Sequence, residues 1–347
     1  MSKLNSFNII RPDDWHVHLR EGDMLEAVTQ HSSRINHRSI VMPNLEIPIT
    51  TSQQGTDYKE IILSSSEGNN FLPLVPCYLT ETLNLFDFET ALKKNIFVGA
   101  KLYPTNATTN SSFGITKIEN IFPMLEILEK LNKPLLVHGE KVREDIDIFD
   151  REKFFIDEEL DIIRHKFTNL KIILEHVSSE YGANYVNNNN NIAGTITPHH
   201  LMLTKKDVFF DELINPHHFC MPVVKTEQDL IALRKYACSG NEKFFIGTDS
   251  APHHVNLKIP NLTSKPGIFS APCSIELYTT IFEEENALDQ LENFCSINGP
   301  NFYNLPINAD HIELIKMKWI VPEYTEFKDI KIKNFMGGKE LNWKINQ

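Results

Sequence analysis

The sequence predicts an α/β fold, a (β/α)8 barrel with a metal centre at the carboxyl ends of its strands. Short apolar runs alternate with amphipathic segments, and most runs are continuous, as in parallel strands covered on both faces. Residues of metal-binding types follow several of these runs. A doubly wound open sheet also fits the alternation, but only a closed ring brings the ends of the first, fourth, fifth, sixth and eighth strands together.

Eight apolar runs are the predicted barrel strands, and two patterns predict helices between them. The helical stripe from Ile118 to Leu131 ends before Pro134. Thr226 and Asp229 resemble a capping box that opens a helix, which Gly240 terminates. The predicted strands are Phe7–Ile10, Ser39–Met42, Leu72–Tyr78, Phe97–Lys101, Leu135–Val137, Lys171–Leu174, Ile192–Ile196 and Phe244–Ile246.

Composition argues against a nucleic-acid binder, a disulfide-bonded protein and a membrane protein. The chain has 347 residues and a formal net charge of −12, which argues against a general nucleic-acid binder. Its five cysteines are odd in number and form no C-x-x-C pair, as expected of a reduced cytoplasmic protein without disulfides. Residues 1–6 contain no long apolar segment, and no run approaches the roughly 20 residues of a membrane span. We therefore expect a soluble protein without a signal peptide.

No repeat or Gly/Ser/Pro-rich linker divides the chain. We therefore predict a single domain over residues 1–347. Short alternating runs near the end, such as the one from Lys316 to Pro322, make residues 313–347 a predicted strand-rich appendage packed on the barrel.

Four histidines and one aspartate have the chemistry of metal ligands. His16 and His18 are two residues apart, so an extended chain projects both to one side. An isolated H-x-H occurs readily by chance, but His138 and His176 also follow apolar strands. Asp249 follows the last strand, where a carboxylate either caps a helix or binds a metal and accepts a proton. Neutral imidazole and carboxylate together suit Zn²⁺ and similar ions.

Lys101 ends an apolar strand, where a charged ammonium is costly to bury. It either pairs with a carboxylate or extends to water, or it is a lysine of lowered pKa that reacts with CO₂ to form a bridging carbamate. The residues alone leave these alternatives open. The polar loop that follows, Pro104–Gly114, is either an ordinary surface connection or a mobile lid.

Seven motifs carry a resemblance to the amidohydrolase superfamily and, within it, to the homodimeric bacterial type of dihydroorotase. The resemblance runs from about Ile9 to about Leu305. It implies a cytoplasmic homodimer that reversibly hydrolyses dihydroorotate to N-carbamoyl-L-aspartate in de novo pyrimidine synthesis. The motifs are H-V-H-L-R, M-P-N, A-K-L-Y-P, L-L-V-H-G-E, L-E-H, G-T-D-S-A-P-H and N-G-P.

The resemblance also implies roles for individual residues. Two Zn²⁺ ions per chain are bridged by N6-carboxylated Lys101 and a hydroxide, and Asp249 is the catalytic proton acceptor. Thr108 and Thr109 reach the substrate from the loop. The implied ligands of the buried ion are His16, His18, Lys101 and Asp249, and those of the exposed ion are Lys101, His138 and His176. The implied substrate-binding residues are His18, Arg20, Asn44, His138, Met221, His253 and Pro266.

Two other functions remain open at this point. Another cyclic amidase, such as a hydantoinase or allantoinase, would share the metal ligands. Arg20, Asn44 and His253 favour instead a substrate with a free carboxylate. A non-catalytic relative that scaffolds a partner would be expected to have lost ligands, whereas all six candidates are present.

Overall fold

A computed structural model describes residues 5–66, 68–211 and 213–346 of the protein. Residues 1–4, which bear on the signal-peptide prediction, and residue 347 lie outside this range. The strands are β1 (Ser6–Ile10), β2 (Asp13–Val17), β3 (Arg38–Val41), β4 (Leu72–Tyr78), β5 (Phe97–Leu102), β6 (Leu135–Val137), β7 (Ile172–Leu174), β8 (Ile192–Ile196), β9 (Phe209–Phe210), β10 (Leu213–Ile214), β11 (Phe244–Ile246), β12 (His311–Ile320), β13 (Tyr324–Phe327), β14 (Ile330–Lys333) and β15 (Glu340–Asn346).

The α-helices lie mainly between these strands, and several continue into short 3-10 or π-helical turns. Both helix predictions are confirmed. The Ile118 stripe forms a 3-10 turn followed by a helix from Phe122, and Thr226 caps its helix through the Asp229 backbone N–H. The helices are α1 (Gly22–Ser33), α2 (Ser52–Ser65), α3 (Leu85–Lys93), α4 (Phe122–Lys130), α5 (Arg151–Phe155), α6 (Asp161–Lys166), α7 (Glu180–Asn188), α8 (Glu227–Ala237), α9 (Ser274–Glu284) and α10 (Asn298–Tyr303).

Eight parallel strands form the barrel in the order β11-β8-β7-β6-β5-β4-β3-β2, which confirms the predicted (β/α)8 fold. The segment after β11 closes the ring against β2. The backbone N–H of Asp249 donates to the carbonyl of His16 at 2.8 Å, and that of His18 donates to Ser250 at 3.0 Å. The Asp14 carboxylate accepts from the Thr248 backbone N–H at 2.9 Å and from its hydroxyl at 2.6 Å. The first and last barrel strands are therefore joined directly beside the predicted metal ligands.

The prediction that Phe7–Ile10 is the first barrel strand is wrong. That segment is β1, which pairs antiparallel with β12 in a separate sheet of order β1-β12-β15. The first barrel strand is β2, whose consecutive aspartates, Asp13 and Asp14, disguise it as a loop. Both carboxylates are fully buried, and their partners compensate for the cost of burial: Asp13 pairs with Arg38, and Asp14 accepts from Thr248. Buried charge of this kind is satisfied by distant partners that an apolar pattern does not reveal.

The carboxyl-terminal strands pack on the barrel beside α9. The indole N–H of Trp343 in β15 donates to Glu283 at 2.9 Å, and the backbone N–H of Ile345 donates to Glu276. The shared sheet therefore joins the two ends of the described chain. Among the described residues, no helix is both long and apolar enough to cross a membrane.

Candidate active site

The six predicted metal donors lie at one end of the barrel and are buried. His16 and Lys101 belong to β2 and β5, His138 follows β6 directly, and the remaining three stand one to three residues beyond strand ends. His176 and Asp249 adopt left-handed backbone conformations, with φ of 42° and 44°. Such conformations are costly for residues other than glycine and occur preferentially at functional sites.

His16, His18 and Asp249 form a compact group of donors able to hold a metal ion. His18 Nε2 lies 3.1 Å from Asp249 Oδ1 and 3.4 Å from His16 Nε2, and His16 Nε2 lies 3.3 Å from the same oxygen. Burial alone would raise the pKa of Asp249, but the two histidines reverse this and hold it well below its ordinary value. The carboxylate is therefore ionised at neutral pH.

His138 and His176 form a second pair of donors. His138 Nδ1 lies 3.1 Å from His176 Nε2, while the other ring nitrogen of His138 lies 2.7 Å from Glu140 Oε2. A carboxylate in this position fixes the tautomer of a metal-binding imidazole and makes it a stronger ligand. Glu140 therefore orients His138 towards His176.

Lys101 is fully buried, and its ammonium pairs with the carboxylate of Glu175. Glu175 is therefore the carboxylate partner of unmodified Lys101. Burial holds the pKa of Lys101 well below its usual value. The other oxygen of Glu175 lies 3.0 Å from His16 Nδ1, so one carboxylate connects Lys101 to the first donor group.

The chemistry of these donors fits divalent cations. Burial lowers the pKa of all four histidines, that of His18 to about 3, so each imidazole is neutral and retains a lone pair. His176 Nδ1 is buried and makes no hydrogen bond to a described residue. Neutral imidazoles converging on a carboxylate are the donor set that Zn²⁺ and similar ions prefer.

A small cavity lies over the donors. It brings together nearly all the predicted substrate-binding residues. Lys101 is absent from the lining because it lies beneath the other donors, and His253 stands behind the lining. The residues that line the cavity are His16, His18, Arg20, Asn44, Tyr103, Thr108, Thr109, His138, His176, Met221, Asp249, Ala251, Pro266 and Gly267.

Arg20 is held at the edge of this cavity by its own contacts. Its guanidinium donates to the Pro252 carbonyl at 3.2 Å and lies 3.2 Å from His253 Nε2. His253 Nε2 also lies 2.9 Å from the Pro266 carbonyl. Burial, with Arg20 nearby, lowers the pKa of His253 well below its ordinary value, so Arg20 supplies the positive charge of this corner. A guanidinium in a buried pocket is suited to binding a carboxylate.

The loop Pro104–Gly114 is folded over the cavity. The Asn44 side chain donates to the Thr109 carbonyl at 2.9 Å, and the Asn110 side chain donates to the Asn44 carbonyl at 3.1 Å. Thr108 and Thr109 therefore reach the cavity while the loop is fastened to the segment after β3. This arrangement favours the lid interpretation over an ordinary surface connection.

Sequence reasoning missed three contributors to the site. Glu140 and Glu175 each contact a donor, and both stand beside a histidine in the quoted motifs H-G-E and L-E-H. Tyr103 lines the cavity, and its ring centroid lies 4.8 Å from Lys101 Nζ. A carboxylate one or two residues away from a candidate ligand was the available signal for Glu140 and Glu175. Tyr103 offered no such signal.

A second buried group, His199, His200 and Cys220, lies beyond the cavity. Both ring nitrogens of His200 already have partners, the Thr197 hydroxyl at 2.8 Å and the Pro222 carbonyl at 3.1 Å. The Cys220 thiol donates to the same carbonyl. These contacts give His200 and Cys220 a structural role, whereas nothing described accounts for the two unbonded ring nitrogens of His199.

Comparison with known proteins identifies the family. Residues 9–331 match the Amidohydrolase family. A dihydroorotase from Buchnera aphidicola subsp. Schizaphis graminum is 46% identical over 351 residues, covering 100% of both chains. One from Salmonella newport is 45% identical, covering 98% of this chain and 97% of its own. The chain belongs to the dihydroorotases of the amidohydrolase family.

Solved structures agree with this assignment. The dihydroorotase of Saccharomyces cerevisiae in complex with 5-fluoroorotic acid has a TM-score of 0.91 at 32% identity, covering 99% of this chain and 98% of its own. The L-hydantoinase of Arthrobacter aurescens has a TM-score of 0.80 at 15% identity, covering 97% and 82%, which shows a shared fold alone. The protein is therefore a hydrolase of the dihydroorotase type, and neither alternative function from the sequence is needed.

Proposed function

We propose that the protein is a zinc-dependent dihydroorotase that catalyses reversible hydrolysis of (S)-dihydroorotate to N-carbamoyl-L-aspartate in de novo pyrimidine synthesis. The observation that carries this proposal is a single small cavity with metal donors at its floor and Arg20 at its edge. The donors suit opening of a cyclic amide, and the guanidinium suits a substrate that carries a carboxylate.

We infer two zinc ions per chain, held as the family resemblance implies. His16, His18, Lys101 and Asp249 would hold one ion, and N6-carboxylated Lys101, His138 and His176 would hold the other. When bound, two divalent cations lower the pKa of water and polarise the substrate carbonyl. A buried lysine of lowered pKa is neutral more often than an exposed one, which favours its reaction with CO₂.

Substrate binding is assigned to the residues around the cavity. Arg20, Asn44 and His253 would bind the carboxylate, and backbone groups near Met221 and Pro266 would contact the ring. His18 and His138 border the reacting carbonyl. Thr108 and Thr109 would close over the substrate with the loop, excluding water from the site.

Asp249 is the proposed proton carrier. Its carboxylate is ionised and lies at the cavity floor, so it can accept the proton released during attack on the ring carbonyl. The same group would deliver that proton to the departing ring nitrogen. In the biosynthetic direction, Asp249 would take a proton from the ureido nitrogen as that nitrogen attacks the side-chain carboxylate, and would pass it to the carboxylate oxygen that leaves as hydroxide when the C–O bond breaks.

The first test is hydrolysis of dihydroorotate by purified protein, followed by ultraviolet absorbance. Activity should disappear on metal stripping and return when zinc is added, and metal analysis should give two ions per chain. Folded protein with two zinc ions but no turnover would contradict the proposal, and hydantoins would be assayed next. Protein that retains no metal and no activity would point to the non-catalytic alternative.

Two variants test the assigned roles. Lys101→Ala should lose the bridging ligand and most activity, and mass spectrometry of the native protein should find one added carboxyl group. Full activity of Lys101→Ala with both metals bound would refute the carbamate. Arg20→Met should raise KM for dihydroorotate by about tenfold or more, since it removes a charge-assisted hydrogen bond. An unchanged KM would exclude Arg20 from carboxylate binding.

We also propose that the chain acts as a cytoplasmic homodimer of one domain each, with residues 313–347 as an appendage. The paired β1 and β12 support the single domain, because removal of β12 would expose one edge of β1. A chain ending at residue 312 should therefore fail to fold. Sedimentation of the full chain should give twice the mass of one chain, as expected of a dimer. A monomeric, active protein would contradict the dimer.

A further inference from the structure

A buried lysine, Lys258, fastens the wall of the cavity formed by Pro266 and Gly267. Lys258 is 9% exposed, and its ammonium donates to the Gly267 carbonyl at 2.7 Å, to the Lys265 carbonyl at 2.9 Å and to the Phe219 carbonyl at 3.3 Å. An ammonium has three N–H donors, so these three carbonyls engage all of them. One side chain thus joins two segments that are more than forty residues apart.

Both segments border the proposed substrate ring. Met221 and Gly267 line the cavity, and the Gly267 backbone N–H donates to the same Phe219 carbonyl at 2.9 Å. On the other side, the Pro266 carbonyl contacts His253, which contacts Arg20. The ammonium of Lys258 therefore stands behind the wall at the centre of a continuous set of contacts, which ends at the carboxylate-binding corner.

The region around Lys258 has little regular structure of its own. Between Asp249 and the start of α9, the described backbone forms two 3-10 turns, Val255–Leu257 and Ala271–Cys273, and isolated bridges. Its position is therefore set by side-chain contacts and loop hydrogen bonds rather than by a strand or helix ladder. Burial lowers the pKa of Lys258 to about 7, because a charged ammonium is costly to keep inside the protein.

We propose that Lys258 is a positioning residue for substrate binding, holding the backbone at Phe219–Met221 and Pro266–Gly267 in place against the ring. The inference rests on the proposed dihydroorotase function and extends it to a residue outside the cavity lining. Lys258 touches neither the metal donors nor the cavity, so it acts on KM rather than on the chemical step.

The experiment compares Lys258→Met with a control, Lys206→Met, which removes an exposed lysine elsewhere. The two variants have the same net charge. Wild-type turnover is measured first, because an inactive wild-type protein contradicts the proposed function itself and this proposal with it. Against active wild-type, Lys258→Met should raise KM for dihydroorotate by about tenfold or more, with kcat within about threefold and metal content unchanged. Lys206→Met should match the wild type.

Lys258→Arg keeps the charge and several N–H donors, so its KM should lie between that of the wild type and that of Lys258→Met. Hydrogen exchange should accelerate in Lys258→Met at the backbone amides of residues 219–221 and of Gly267, and remain unchanged in Lys206→Met. An unchanged KM in folded Lys258→Met would overturn the proposal. Parallel loss of kcat and bound metal would also overturn it, because it would show a general structural role. If Lys258→Met does not fold, Lys258→Gln, whose amide keeps two N–H donors, is judged by the same criteria.

Discussion

Breaking the ion pair between Asp13 and Arg38 at one partner should strongly destabilise the protein without affecting catalysis. The pair joins β2 to β3 at the amino-terminal end of the barrel, opposite the cavity. Arg38 donates to Asp13 from Nε at 3.0 Å, from Nη2 at 2.6 Å and from its backbone N–H at 3.0 Å. Asn308 donates to the same carboxylate at 2.9 Å. Asp13→Ala would therefore leave a buried guanidinium and two further donors without their acceptor.

The expected cost follows from these contacts. Removing one partner of a buried ion pair typically costs about 3–5 kcal/mol, because the other charge stays buried and uncompensated. At roughly 2 °C of Tm for each kcal/mol in a large domain, Asp13→Ala should lower Tm by on the order of 6–10 °C. Differential scanning calorimetry of the metal-free protein measures this shift. KM and kcat of the metal-loaded variant, assayed well below Tm, should match the wild type.

A double-mutant cycle tests the reasoning. Arg38→Met alone leaves the Asp13 carboxylate buried and only partly satisfied, whereas the combined Asp13→Ala, Arg38→Met variant removes both charges. The combined variant should therefore lose clearly less stability than the sum of the two single variants. Additive losses, or a shift below about 2 °C for Asp13→Ala, would refute the claim that the pair is strongly coupled.

Three further predictions concern packing, the lid and pH. Gly299→Ala would place a Cβ 1.9 Å from Trp15 Nε1, so overpacking should cost about 1–3 kcal/mol, and an unchanged Tm would contradict this contact. Asn110→Ala removes a bond between the lid and Asn44, so KM should rise severalfold; an unchanged KM would show that the lid closes without it. Burial, aided by Arg34, lowers the pKa of His31 to about 4. Its unfolded pKa is higher, so urea-measured stability of metal-free protein should fall by about 2–3 kcal/mol between pH 6.5 and 4. His31→Gln should lose less stability over this pH range, and an identical dependence of stability on pH in the variant and the wild type would contradict the role of His31.

Seven of the eight barrel strands could be predicted because their burial is apolar and continuous, as in Leu135–Val137 and Phe244–Ile246. The first strand was missed because its burial depends on partners far away in sequence, Arg38 and Thr248. The apolar run Phe7–Ile10, taken for the first barrel strand, is instead β1 of the separate β1-β12-β15 sheet. Burial of charge is a property of the assembled structure, and local sequence does not record it.

The candidate ligands could be predicted because they follow strands whose ends converge. The pairing of Lys101 with Glu175 could not, since Glu175 lies on β7's carboxyl side and reaches Lys101 only in the closed barrel. The left-handed conformations of His176 and Asp249 also had no sequence signal, because neither residue is a glycine. The role of Lys258 was hidden for a related reason: its acceptors are backbone carbonyls, which every residue has.

The closure of the barrel beside the metal donors has a consequence for how the protein is made. His16 and His18 come from the first barrel strand and Asp249 from just after the last, and they meet only when the Thr248 segment lies against Asp14. A chain still emerging from the ribosome presents two isolated histidines, which bind metal weakly, until about residue 250 has been synthesised. Tight binding of an ion by all three donors therefore requires a completed ring, so it follows closure of the barrel.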